Sequence, residues 1–175
     1  MNRQSWVAVF VAAALCLTFA APAAAKDPDR PFGGWTVGAD YEGDVTLCPP
    51  GALIRYGSSG TGEFLHLGRV RVETIQCTWL DVETGTGWFD FGTITLTAAN
   101  GDTLILAQEG TFQLSPWGSP PPWSSDVDVT DWVVVGGTGR FDGATGSGHG
   151  SGHSDGVGPG FSSTTTVSFS GSIAY

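Results

Sequence analysis

His66, His149 and His153 are the chain's three histidines, and they are the first residues to test for chemistry. A neutral imidazole is a competent general acid or base near pH 7. In "GEFLHLGRVRVETIQCTW", read as one strand, His66 alternates in phase with Phe64, Val70 and Val72, while Arg69, Arg71 and Glu73 take the opposite phase. This alternation predicts an inward His66, either lining a ligand pocket or serving as a hydrogen-bonded structural histidine. His149 and His153 are four residues apart. On a strand they share a face at about 13 Å, too far for one ion, so no metal site is expected. No serine or cysteine stands in a nucleophile elbow or triad pattern. Catalytic residues are therefore unassigned, and no motif calls for a cofactor.

Two further groups invite a functional reading. Trp117 and Trp123 flank the loop "GSPPP". Aromatics at such a place either stack on a planar ligand or clamp the loop, and both tryptophans are ligand-binding candidates. Trp79, Trp88 and Trp132 read as core or wall residues. The stretch "VVVGGTGRFDGATG", Val133 to Gly146, holds five glycines. A dinucleotide fingerprint needs a helix after its glycines, and the following "DGATGSGHGSG" is too rich in glycine to form one. A Walker-type loop needs Lys then Ser or Thr, and neither follows. The alternative is an architectural turn in which Gly136, Gly137 and Gly139 supply backbone freedom and Phe141 folds back onto the core.

The elements that carry these residues are strands. No segment keeps a 3.6-residue apolar period, whereas period-two alternation recurs, so the fold class is all-β. In "FGTITLTAANGDTLILAQEGTFQL" a two-residue Asn100-Gly101 loop would mix apolar and polar residues on each face. A three-residue loop, Ala99 to Gly101, instead pairs Leu96 with Leu104 and Ile94 with Leu106. One face then gathers Ile94, Leu96, Leu104, Leu106, Phe112 and Leu114, with Gly101 left-handed. "STTTVSFSGSIAY" alternates cleanly, with Thr165, Val167, Phe169, Gly171 and Ile173 on one side. "SPWGSPPPWSS" is a proline-rich loop. "GSGHGSGHSDGVGPG", Gly146 to Gly160, reads as a strand end followed by a mobile loop. Antiparallel strands without helices bury their apolar faces in a sandwich or a barrel.

Residues 1–25 have one early charge, Arg3, an apolar run from Trp6 to about Ala21, and the small residues Ala23-Ala24-Ala25. That is the layout of a secretory signal peptide. A lipid anchor at Cys16 is disfavoured by the bulky Leu15. Residues 26–34 are expected to form a flexible lead-in and residues 35–175 one domain, and no later segment is suited to span a membrane. Cys48 and Cys77 remain after cleavage, and an even count in an exported chain predicts a disulfide between them. The chain has 17 acidic and 7 basic residues, so nucleic acid, whose binding rests on Lys and Arg, is excluded as a partner. A small-molecule ligand and a homo-oligomer are both compatible with the sequence.

Val135, Gly136, Gly137, Thr138, Gly139, Phe141, Ala144 and Gly146 match a strand-turn-strand signature, so this stretch resembles the allene oxide cyclase and dirigent barrel group. "HLGRVRV" and "TITLTAANGDTL" resemble segments of bacterial secreted proteins that share the signature. The resemblance implies a closed, eight-stranded antiparallel barrel with an axial cavity. It carries over no mechanism, because no catalytic residue of that group can be placed on this chain. The expectation is a secreted barrel that binds a small apolar or aromatic ligand without catalysis, or has a structural role at the cell surface. The alternative is a cofactor-independent cyclase or isomerase of the dirigent or allene oxide cyclase kind.

Overall fold

The computed structural model describes residues 29–158 and 162–175. The signal-like segment, residues 1–25, lies outside the described residues. Eight strands follow in chain order: β1 Arg30–Gly43, β2 Ile54–Phe64, β3 Gly68–Asp81, β4 Thr86–Ala98, β5 Thr103–Ser115, β6 Trp123–Gly137, β7 Thr145–Val157 and β8 Thr164–Ala174. Each pairs antiparallel with its sequence neighbour, and β1 also pairs with β8, which closes the barrel. The architecture is the all-β, eight-stranded closed barrel expected. Closure leaves no unpaired sheet edge, the usual route to edge-to-edge aggregation.

The period-two pattern is converted directly into an inside and an outside. On β4 and β5, Leu96 pairs with Leu104 and Ile94 with Leu106, and all four are buried. The connecting turn is the three-residue one, with Ala98 N–H donating to the Asp102 carbonyl at 2.9 Å and Gly101 at φ 89°. On β8, Val167, Phe169 and Ile173 are buried as the alternation requires.

One end of the barrel is filled. Phe32 stacks on Phe64 with ring centroids 5.3 Å apart and meets the Trp132 edge at 5.5 Å. Phe64 meets Phe169 at 5.8 Å. Trp132 fits because β7 and β8 present glycine to it: a Cβ on Gly148 or Gly171 would lie 2.5 Å from its ring. Burying each such aromatic stabilises the fold by roughly 1.5–3 kcal/mol.

Trp132 also explains a boundary that the sequence misplaces. Gly146 to Val157 lies wholly in β7; residues 159–161 lie outside the described residues. Glycines face inward and Ser147, His149, Ser151 and His153 outward, so the Gly-Ser alternation is a strand making room for large neighbours.

Two other expectations are corrected. Residues Arg30 to Gly34, assigned to a flexible lead-in, begin β1; Phe32, 2 % exposed, anchors them in the core. "GEFLHLGRVRVETIQCTW" is not one strand. It is the end of β2, a turn at Leu65 to Leu67, and β3. His66 occupies that turn at φ 70° and Gly68 follows at φ 70°. The in-phase alternation across the break is coincidental, because the chain reverses there.

A turn follows β6. Gly136 and Gly137 end the strand, and Gly139 to Phe141 make one 3-10 turn. Gly139 has φ 62°, a conformation that costs residues with a Cβ. Phe141 is fully buried, its ring 4.9 Å from that of Tyr175. Cys48 and Cys77 form a disulfide that ties the β1–β2 connection to β3. Among the described residues no helix is long and apolar enough to cross a membrane.

Candidate functional site

The end opposite the aromatic plug is hollow. A cavity of about 830 Å³ runs from Val72, Ile94 and Phe169 to a mouth among the β1–β2, β5–β6 and β7–β8 connections. Small-molecule sites occupy roughly 300–1,000 Å³. Most of its wall is apolar, with Phe89, Phe112, Val127, Val129 and Val167 among the lining residues. Trp117 and Trp123 stand at the mouth.

One wall is polar, and four strands build it. Asp40 on β1, Tyr56 on β2, Ser154 on β7, and Ser163 and Thr165 at the start of β8 form one hydrogen-bonded cluster. The Ser163 and Thr165 hydroxyls donate to Asp40 Oδ2, the latter at 2.9 Å. Thr165 Oγ1 also lies 2.7 Å from Tyr56 Oη and 2.6 Å from Ser154 Oγ. A backbone bond from Asp40 N–H to the Ser163 carbonyl, 3.1 Å, fixes β1 against β8 at this level. Burial, and then the neighbouring Asp40 charge, push the Tyr56 phenol far above its ordinary range, so Tyr56 holds its proton.

Asp40 Oδ1 is buried and has no hydrogen-bond partner among the described residues. Thr78 Oγ1 on β3 is in the same condition. Both residues line the cavity. A buried polar atom without a partner costs about 1–3 kcal/mol, a cost these two residues carry at the polar side of the cavity. Next to Thr78, Gln108 Nε2 donates to Gln76 Oε1 at 2.7 Å, and these side chains also line the cavity.

The tryptophans at the mouth are half-buried, with ring centroids 5.0 Å apart. Trp123 Nε1 donates to the Ser119 carbonyl at 2.9 Å. It therefore clamps its own loop while still presenting a ring to the cavity.

His66 is not on this wall. It is exposed at the plugged end, its Nε2 donating to the Pro31 carbonyl at 3.0 Å, and the inward placement read from alternation is corrected. His149 and His153 lie on the outer face of β7. His149 Nε2 pairs with Ser170 Oγ at 3.0 Å. His153 Nδ1 meets Asp126 at 2.7 Å, and that hydrogen bond leads the causes that raise its pKa. Trp132 is core, as read. Trp79 and Trp88 stack on the outer surface at 5.8 Å, with Trp88 48 % exposed.

The sequence reading missed Asp40, Tyr56, Ser154, Ser163 and Thr165 as a site. Alternation along β8 places Thr165 on an inward face, but Asp40 in "GADYEGD" looks like any solvated acid.

Fold and cavity together define a closed β-barrel, plugged at one end and open at the other, with an amphipathic pocket. Comparison with protein-family models, with curated proteins and with solved structures finds no match to this chain.

Proposed function

We propose that the protein is an exported barrel that binds a small amphipathic molecule in its cavity, without catalysis. One observation carries the reading. A roomy, largely apolar pocket has one polar wall, built around the Asp40 carboxylate. A ligand with an apolar body and one polar group matches that lining. The signal-like segment at residues 1–25 and the disulfide support export. The tryptophans at the mouth supply flat apolar surface for the end of the ligand nearest solvent.

A cyclase or isomerase working in the same cavity is the second reading. The resemblance of "VVVGGTGRFDGATG" to the allene oxide cyclase and dirigent group and the presence of Asp40 in the pocket favour it. Binding ranks first because the partner an acid–base pair would need is poorly suited. Tyr56 retains its proton, and His66 is at the other end of the barrel.

The test is protein-detected nuclear magnetic resonance on labelled valine methyl groups, titrated with a panel of neutral aromatic fragments. Val127, Val129 and Val167 line the cavity, whereas Val135 is exposed outside. Fragments should shift the first three and leave Val135 unmoved. A panel that shifts none of the cavity valines would overturn the reading.

A further inference from the structure

The polar wall has a direction that follows from counting protons. Each hydroxyl has one hydrogen to give and two lone pairs to offer, and an ionised carboxylate only accepts. Ser163 and Thr165 both give their hydrogens to Asp40 Oδ2. Thr165 then has none left, so its contacts with Tyr56 and Ser154 are bonds it accepts. Tyr56 and Ser154 thereby spend their hydrogens on Thr165. All four hydroxyl hydrogens of the cluster are committed within it. What the cluster can offer a guest is lone pairs and the field of the Asp40 carboxylate.

The charge of the lining points the same way. Among the described residues, those around the cavity include the acids Asp40 and Glu42 and no Lys, Arg or His. A carboxylate, phosphate or sulfate guest would find no cation and would face Asp40. A guest bearing a positive charge would neutralise a carboxylate held mostly out of water.

We propose that the ligand is an organic cation, a primary or secondary amine on an aromatic or aliphatic body, with its ammonium directed at the acidic side of the cavity, where Asp40 and Glu42 lie. This rests on reading the cavity as a ligand site and names the class of ligand. The ammonium supplies two or three donors to a wall that only accepts. The body lies against Phe89, Phe112, Val127 and Phe169. Charge-assisted hydrogen bonds are roughly twice as strong as neutral ones. An alcohol of the same shape, with one hydrogen and no charge, should fill the same space and bind more weakly.

Three probes of one shape separate the cases: 3-phenylpropylamine, 3-phenylpropan-1-ol and 3-phenylpropanoate. Each is titrated calorimetrically into the purified protein at neutral pH and physiological salt. The amine should bind about tenfold or more tighter than the alcohol, and the carboxylate most weakly. In Asp40→Asn the amine's advantage should fall to within about threefold of the alcohol. Equal affinities for amine and alcohol, or tightest binding by the carboxylate, overturn the cation assignment and leave the ligand-site reading standing. An amine advantage that survives Asp40→Asn overturns the role of Asp40. If none of the three binds, the ligand-site reading falls and the cation assignment with it. The wild-type comparison is decisive even if Asp40→Asn fails to fold.

Discussion

Thr165→Val and Tyr56→Phe each remove one hydroxyl from the same hydrogen bond, yet they should cost very different amounts. Valine replaces threonine with nearly the same shape, so packing is kept. The lost Oγ1 had accepted from Tyr56 at 2.7 Å and from Ser154 at 2.6 Å and had donated to Asp40. Its removal strips two donors at once. Ser154 is 5 % exposed and Tyr56 half-buried, so water repays only part. At about 1–3 kcal/mol for each unsatisfied group, the expected loss is about 2–4 kcal/mol. Tyr56→Phe removes a donor and leaves only a spare lone pair on Thr165, which still holds Ser154 and Asp40. Its cost should be that of one net hydrogen bond, about 0.5–1.5 kcal/mol. Urea unfolding followed by circular dichroism measures both, with the m-value checking that the unfolding transition keeps its character. If Tyr56→Phe costs as much as Thr165→Val, the protons do not run toward Asp40. The acceptor-only wall, and the amine inferred from it, would then be wrong.

Replacing both Cys48 and Cys77 with alanine should cost about 3–4 kcal/mol, since the bond spans a separation of 29 residues and loop entropy scales with that length. The strand signal should persist, because all eight strands pair without the bond; loss of the fold at room temperature would show that the barrel cannot close unaided. Tyr56 also predicts a pH dependence. Its folded pKa is raised above the unfolded value of about 10, so its contribution is complete below pH 10 and declines above it by up to about 1.4 kcal/mol per pH unit. Unfolding curves at about pH 9 and 11 should show this decline in the wild type and a smaller one in Tyr56→Phe; equal declines would place its source elsewhere. Gly139→Val should destabilise by about 1–3 kcal/mol or more, because φ is 62° there, measured by the urea midpoint; a variant of unchanged stability that loses only ligand binding would make the turn a site.

Much of this barrel follows from the chain alone. The alternation in "TITLTAANGDTLIL" fixes both the inward face and the register of β4 against β5, because a one-residue slip would expose Leu96 and Leu104. The alternation of β8 places Thr165 inward with Phe169. Two cysteines and a signal-like segment are enough to predict the disulfide. Phe141 returns to the core because the preceding glycines permit only a turn. These are local properties: side chains alternate across a pleat, and a turn depends on the few residues within it.

The site is not local. Asp40 and Thr165 are 125 residues apart and meet because β1 closes on β8. Nothing in "GADYEGD" distinguishes an acid that closure will bury from one left in water. His66 shows the same limit in reverse. Its phase with Val70 and Val72 survives a turn that the pattern cannot register, since Leu65 and Leu67 look as apolar as strand residues. Period-two alternation in the chain indicates the inward side chains of β4, β5 and β8. Only the closed tertiary structure decided which inward side chains share a level of the barrel, and therefore where its one end is packed with aromatics and its other end holds an unsatisfied carboxylate.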